Sequence, residues 1–325
     1  MKKLTFGVDI GGINSAFGLV DEAGDIFAEG GISTRAYPKE ENYPSYVRDL
    51  AEAMIEAAKS ISFDHEITGI GIGAPNANYH TGTIEQPANL WKSDDPDSER
   101  IFNLCRDLGE YFPTIQNIRM TNDANAATIG EMIFGNARGM RDFMMVTLGT
   151  GLGSGFVANG ELIYGHDGFA GEMGHMTVIP SGRECGCGKR GCLECYVSAT
   201  GIKRTAFEMM ATHNWASPLR NIPFAEFDSA MISRAAADGD PLALEIFRYT
   251  GEILGAAIAN VVAITSPKAV IIFGGLAKAG ELIFAPTRKY MEENLLYTYK
   301  GKVEILPSGI QDRNIAIIGA ASIVL

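Results

Sequence analysis

The feature that most restricts the fold of this 325-residue chain is a unit that occurs twice. Val8-Asp9-Ile10-Gly11-Gly12, a turn, then Phe17 to Val20 and Gly24 form the first copy. Val146-Thr147-Leu148-Gly149-Thr150-Gly151, a turn, then Phe156-Val157-Ala158 and Gly160 form the second, about 138 residues on. Each reads as strand, glycine turn, strand, turn, strand. A repeat of this size points to two related halves, with a break near residue 122. The plainer reading is that any two strand–Gly–strand units look alike. No linker or low-complexity stretch marks a boundary.

The remaining pattern alternates strands and helices. A helix is expected from about Pro44 to Lys59, with Val47, Leu50, Ala51, Met54, Ile55 and Ala58 on one face. Ile67 to Ile72 is a strand ending in Gly73-Ala74-Pro75. Ser98 reads as the cap of a helix running to about Phe112. Ile118 to Thr121 is a strand leading into a helix opened by Asn122-Asp123. Asp240 is an N-cap with Pro241 at the first helical position, and that helix runs to about Thr265, before Pro267. Gly255 and Ala259 in it suggest close packing. Ala269 to Phe273 is an apolar strand ending in Gly274-Gly275, and Ile315 to Leu325 reads as a final apolar helix.

Composition excludes several function classes. With 27 Lys and Arg against 39 Asp and Glu the net charge is −12, unsuited to neutralising nucleic-acid phosphates. No apolar run approaches the ~18 residues of a membrane span. The apolar start is cut by Asp9, too early for a signal peptide. A soluble cytoplasmic protein with neither nucleic-acid nor membrane partner is therefore expected.

Three strands end in glycines: Gly11-Gly12, Gly149-Thr150-Gly151-Leu152-Gly153 and Gly274-Gly275. Such turns let backbone N–H groups approach a phosphate. No Gly-Lys-Ser/Thr is present, so there is no P-loop. A dinucleotide fingerprint fails too: with Gly149 as the first position the sixth is Ser154, with Gly151 as the first it is Phe156, and a hairpin follows where a helix is needed. Structural turns are the alternative. Asp9, at the end of a buried strand, is suited to a hydrated Mg²⁺ or to capping the turn beside it.

Four of the five cysteines, Cys185, Cys187, Cys192 and Cys195, fall within eleven residues, and Cys105 stands alone. With His175, ten residues upstream, three thiolates make a closed tetrahedral Zn²⁺ site, leaving Cys195 spare. A closed site is structural. It leaves the second ring nitrogen of His175 for a ligand. A redox pair and metal-free thiols are the competing readings. Such a fold of the loop gathers Glu172, His175 and Glu194, a donor and acceptor set matched to sugar hydroxyls. Without it each carboxylate is a surface group, and Asn122-Asp123 is a plain helix cap.

Taken together these segments resemble the ROK family of sugar kinases, and within it the bacterial glucokinases, over nearly the whole chain. Asp9-Ile10-Gly11-Gly12-Ile13-Asn14 matches the phosphate motif Asp-x-Gly-Gly-Thr except that Ile13 replaces threonine. Glu172-Met173-Gly174-His175 matches Glu-x-Gly-His. Cys185 through Glu194 matches Cys-x-Cys-Gly-x-x-Gly-Cys-x-Glu at every fixed position. Asn122 to Ala127 looks like the catalytic segment and Gly71 to Pro75 like the sugar loop.

The resemblance implies an actin-like ATPase (ribonuclease H-like) α/β fold. It has two α/β domains with mixed sheets flanking a cleft: residues 1–121 with 314–325, and residues 122–313 with the zinc loop. It implies phosphoryl transfer from ATP to a hexose, glucose to glucose 6-phosphate first, with Asp123 as general base. Asn89, Asn122, Asp123, Glu172, His175 and Glu194 would hold the sugar. Asp9 would stand near Mg²⁺, and Gly11, Gly12, Asn14, Thr150, Gly151, Gly274 and Gly275 would contact ATP. His175, Cys185, Cys187 and Cys192 would bind structural Zn²⁺. Asn14 or Ser15 is the candidate replacement for the hydroxyl missing at Ile13. The resemblance also suggests a homodimer or homotetramer. An N-acetylmannosamine or N-acetylglucosamine kinase, and a sugar sensor without turnover, are the alternatives. Polyphosphate is an alternative donor. A repressor is disfavoured by the acidic charge and by a chain that starts at its first strand.

Overall fold

The computed structural model describes residues 1–87, 89–310 and 314–325. The chain forms two compact units, residues 1–139 with 162–170 and 309–325, and residues 140–161 with 171–308. The boundaries expected from sequence were 121/122 and 313/314, and residue 313 lies outside the described residues.

The first unit is built on β1 (Lys2–Ile10), β2 (Ser15–Val20), β3 (Ile26–Ile32), β4 (His65–Gly73) and β8 (Ile118–Thr121). Their order is β3-β2-β1-β4-β8. β1 to β3 form an antiparallel meander, while β4 and β8 run parallel to β1. Three short strands, β5 (Ala77–Asn78), β6 (Thr83–Glu85) and β7 (Ile101–Phe102), make a small separate sheet. Leu4, Phe6, Val8, Ile70 and Ile72 are fully buried, the continuous apolar run of strands covered on both faces. Helix α1 (Tyr43–Lys59) lays Tyr46, Val47, Leu50, Ala51 and Met54 into this core at the expected helical spacing.

Helix α2 (Leu104–Gly109) is much shorter than expected and starts after Asn103. Ser98 caps nothing. Its hydroxyl donates to the Glu40 carboxylate at 3.0 Å, and β7 lies between it and the helix. Helix α3 (Asp123–Phe134) starts where predicted.

The C-terminal helix, Ile315–Ala321, ends four residues earlier than expected and packs across β1 and β4. Glycines make this approach possible. A methyl group on Gly7 would lie 1.9 Å from the Ile317 carbonyl oxygen, and one on Gly71 1.9 Å from that of Ala320.

The second unit repeats the first. Its sheet, β9 (Phe143–Leu148), β10 (Leu152–Ala158), β11 (Glu161–Leu162), β12 (Ala269–Phe273) and β13 (Glu304–Pro307), has the order β11-β10-β9-β12-β13. β9 corresponds to β1 and the glycine turn after it to the turn after β1, as the sequence repeat requires. Helices α4 (Glu194–Val197), α5 (Ala199–Thr212), α6 (Ser229–Ala237), α7 (Pro241–Thr265) and α8 (Glu281–Asn294) pack around it. Helix α7 has the predicted bounds. Asp240 accepts from the Ala243 N–H at 2.7 Å, Pro241 fills the first turn, and Ser266 leaves the helix with φ 47° before Pro267. Gly255 allows contact with α8, where a methyl would lie 2.6 Å from the Met291 nitrogen. No helix among the described residues is long and apolar enough to cross a membrane.

Replacing Gly71 by alanine sets a methyl against backbone that cannot rotate away. We expect Gly71→Ala to destabilise the protein by roughly 2–3 kcal/mol or to prevent folding. Gly109→Ala, whose methyl meets Ile118 at an ordinary 3.5 Å, should change stability little. Thermal unfolding of the two variants side by side checks the difference, and equal melting temperatures would contradict it.

Candidate active site

Parallel pairing places the carboxyl ends of β1, β4 and β8 in one row. Asp9 pairs with Gly73, and Gly73 with Thr121. Ligands of open α/β sheets gather at this edge. Asn122 follows Thr121 as the N-cap of α3, its Oδ1 accepting from the Ala124 N–H at 2.9 Å. That bond fixes the amide orientation and turns the NH₂ outward as a donor. The Asp123 carboxylate accepts from the same N–H at 2.8 Å. Gly73 sits against this turn, where a methyl would lie 3.6 Å from Asp123 Cα.

Asp123 is exposed and Asp9 half-buried. The protein crowded around Asp123 raises its pKa, against the opposing effect of its hydrogen bonds from backbone N–H. Burial, and then the neighbouring Asp123 charge, push Asp9 up to about 6. Two neighbouring carboxyl groups, both with raised proton affinity, mark a functional edge more than a structural one.

The turn after β1 closes through Gly11 N–H donating to the Asn14 carbonyl at 3.0 Å. Gly12 lies against Asn89: a methyl on Gly12 would be 3.2 Å from Asn89 Cβ, so Asn89 borders the turn after β1. Ile13 points outward, and its carbonyl accepts from Arg35 N–H at 3.0 Å. Of the two candidates to replace the missing hydroxyl, Ser15 is already engaged. It is buried, with its Oγ 2.7 Å from Thr34 Oγ1 and 2.8 Å from Tyr46 Oη. Asn14 is exposed.

In the second unit Thr150 stands at the apex of a turn closed by Gly149 N–H donating to the Gly151 carbonyl at 3.0 Å. Gly274 has φ 109°, and a methyl there would meet the Leu148 carbonyl at 2.4 Å, so only glycine fits. Gly275 next to it has open space.

The cysteine segment folds back on the turn that carries Glu172 and His175. Thr177 pairs with Cys192, and Val178 N–H donates to the Gly191 carbonyl at 2.8 Å. Gly174 is required because a methyl would lie 2.4 Å from the Leu152 carbonyl. The ligand atoms of His175, Cys185, Cys187 and Cys192 all lie within 4.8 Å of one another. Cys185 Sγ is 3.7 Å from His175 Nδ1, and Cys187 Sγ 3.7 Å from Cys192 Sγ. A tetrahedral zinc with bonds of about 2.3 Å to sulfur needs an edge of about 3.8 Å. The four residues therefore fit the ion. Cys195 is outside this group and its thiol faces the Glu184 carbonyl at 3.5 Å. Nδ1 of His175 faces the cysteines and Nε2 lies 3.9 Å from the Glu172 carboxylate. Glu194 lies 4.0 Å from His175 Nδ1, so Glu172, His175 and Glu194 are brought together as the sequence implied.

One residue of this half escaped the sequence reading. The Ser154 hydroxyl donates to the Gly171 carbonyl and accepts from Met173 N–H at 3.2 Å, bracketing Glu172. The sequence carries only a faint signal for it, a serine where a dinucleotide fingerprint would have glycine.

Comparison with known proteins agrees with this geometry. The family model described as ROK family matches residues 5–325. A glucokinase of Thermotoga maritima is 34% identical over 320 residues, 98% of this chain and 96% of that protein. A glucokinase of Streptomyces coelicolor is 35% identical over 88% of this chain and 86% of its own length. The crystal structure of a ROK family glucokinase from Streptomyces griseus in complex with glucose and AMPPNP superposes with a TM-score of 0.79 and 32% identity, covering 99% of both chains. The fold is the actin-like ATPase fold expected from sequence, and the chain belongs to the ROK family.

Proposed function

We propose that this protein is an ATP-dependent glucokinase that forms glucose 6-phosphate, with Asp123 as its general base. The observation that carries this reading is Asp123 itself. It is an accessible carboxylate at the first turn of α3 whose surroundings raise its proton affinity. The relatives named glucokinase, at 34–35% identity over most of the chain, support the substrate assignment.

In the proposed reaction the glucose 6-hydroxyl oxygen bonds to the γ-phosphorus while the bond to the bridging oxygen of ADP breaks. The hydroxyl proton passes to the Asp123 carboxylate. Asn122 offers its NH₂ as a donor. Glu172, Glu194 and His175 Nε2 accept from and donate to the other hydroxyls, and Asn89 borders the phosphate turn. The N–H groups of Gly12, Thr150, Gly151, Gly274 and Gly275, with the Asn14 amide, take the nucleotide, and Gly11, whose own N–H closes the first turn, lets the phosphates approach its backbone. Excluding water from the reacting atoms prevents transfer of phosphate to solvent. Asp9 fits Mg²⁺, which binds through one or two carboxylates plus substrate phosphates. When bound, that ion supplies charge neutralisation across the phosphate oxygens. His175, Cys185, Cys187 and Cys192 would hold Zn²⁺, which would supply a fixed loop and a fixed orientation of the His175 ring. Such a set of reduced thiols and an ATP supply coexist in the cytoplasm.

Four experiments bear on this reading. Asp123→Asn should lower kcat by about 10²–10⁴ while leaving glucose binding within a fewfold. Undiminished turnover would remove Asp123 from the role. The assay, ADP release over glucose, mannose, fructose and the two N-acetyl sugars, should show the highest kcat/KM for glucose. No ADP release with any of the sugars, together with thermal stabilisation by one of them, would mark a sensor instead.

The Mg²⁺ requirement should depend on pH. Asp9 titrates near 6, so the ion competes with a proton below that value. The Mg²⁺ concentration for half-maximal rate is expected to be flat above pH 7 and to rise about tenfold per unit below 6. A flat dependence to pH 5 would exclude Asp9 as a ligand.

Metal analysis of protein never exposed to chelator should find one zinc per chain in the wild type and in Cys195→Ser. Cys192→Ser should lose it and melt several degrees lower. Retention of zinc by Cys192→Ser would overturn this ligand set.

A further inference from the structure

We propose that Glu194 is a positioning residue for the nucleotide: its carboxylate, with the backbone of Ala199, brackets the glycine turn 149–152 and ties the shape of that turn to the cysteine loop. This rests on the reading above, in which the turn receives ATP phosphates.

The turn is held at both ends by one short segment. Leu152 N–H donates to Glu194 Oε2 at 3.2 Å. Ala199 N–H donates to the Gly149 carbonyl at 2.9 Å. Between these ties the carboxylate touches the turn itself, since a methyl on Gly151 would lie 2.7 Å from Oε2. Glycine at 151 is therefore set by Glu194 as much as by a phosphate. The Thr150 apex is left accessible.

The bracket is stiff. Glu194 opens α4 two residues after Cys192. The Ser198 hydroxyl donates to the Glu194 carbonyl at 2.7 Å and accepts from Gly201 N–H at 3.0 Å, locking α4 onto α5. Gly201 is needed there because a methyl would lie 2.7 Å from the Glu194 carbonyl. The buried Arg183 guanidinium donates to the Cys195 carbonyl at 2.7 Å and the Gly201 carbonyl at 3.1 Å. On the other side Leu193 N–H donates to the Met176 carbonyl at 2.9 Å, next to His175. The segment thus runs from the metal-binding loop to the phosphate turn without a slack joint.

Glu194 then does two things. One carboxylate oxygen holds the turn, while the group as a whole stands by His175 for a sugar hydroxyl. A carboxylate has lone pairs for both. Nucleotide and sugar affinity should separate on mutation. Glutamine keeps a side-chain carbonyl for Leu152 N–H and loses the charge. Alanine loses both and leaves a backbone donor without its partner.

The test is calorimetric titration of the full chain, without sugar, with MgADP, and separately with glucose. Glu194→Ala should bind MgADP about five- to tenfold more weakly than wild type, and Glu194→Gln within about twofold. Both should bind glucose more weakly. Removing zinc with a chelator should weaken MgADP binding as well, with recovery on readdition. If Glu194→Ala does not fold, Gly151→Ala serves in its place: its methyl displaces Oε2, and it should weaken MgADP binding by a similar factor. Wild-type MgADP affinity in Glu194→Ala, or equal weakness in Glu194→Gln and Glu194→Ala, would overturn the inference and leave the kinase reading standing. Absence of MgADP binding in the wild-type protein would overturn both.

Discussion

The parallel pairing of β1, β4 and β8 is the constraint on which the chemistry of the first unit depends. It brings Asp9, Gly73 and Thr121 to one edge in register, with neighbouring strands about 4.8 Å apart. Two carboxyl groups follow from it, one at the end of β1 and one just past β8. Their proximity is unfavourable for folding. Asp9 has a higher pKa in the folded chain than its ordinary 3.8, so the folded state holds the proton more tightly. Its contribution to stability is fully present below about pH 4 and is lost as pH rises through about 6. At neutral pH the protein keeps a group that makes it less stable. Glycine is what lets the rest of the unit compensate, because Gly7 and Gly71 bring the C-terminal helix into backbone contact with β1 and β4.

The two sheets share one strand order, yet the repeated unit has diverged at the position that matters most. Asp9 in the first copy corresponds to Thr147 in the second. The Thr147 hydroxyl accepts from Gly153 N–H at 3.2 Å, so it closes its own turn and carries no charge. A carboxylate does reach that turn, but from Glu194 and through Leu152 N–H. One copy therefore places its acid on the strand, and the other takes one from the start of α4. This is the division of labour expected if the first turn meets a cation and the second meets phosphates through backbone donors.

Local chemistry was legible in the sequence, and chemistry between distant residues was not. The bounds of α7 were readable because capping by Asp240 and termination before Pro267 involve neighbours in sequence. The cysteine and histidine group was readable for the same reason, its ligands lying within eighteen residues. Ser98 misled because a partner 58 residues away, Glu40, competes for its hydroxyl. Helices α5 and α6 are capped by Ser198 and Asp228, signals that went unread, and α8 has no side-chain cap to read. Ser15 looked available for a phosphate until Thr34 and Tyr46 were seen to occupy it. The raised pKa of Asp123 is a property of the packing around it, which no spacing along the chain encodes.

Ile13 shows how much of such a site can change without loss of its logic. Its backbone does what the turn requires, with the carbonyl tied to Arg35 and the neighbouring Gly11 and Asn14 closing the loop. Only the side chain departs from the family motif, and it points outward. A neutral hydrogen bond contributes about 1 kcal/mol and one to a charged group about 2–3. If this turn takes phosphate as proposed, loss of one hydroxyl changes the affinity by up to about two powers of ten, while the Gly12 N–H and the exposed Asn14 amide remain. A turn that binds mainly through its backbone tolerates a side-chain exchange that a side-chain-built site would not. The same reasoning explains why the glycines of this turn are kept where its threonine is not.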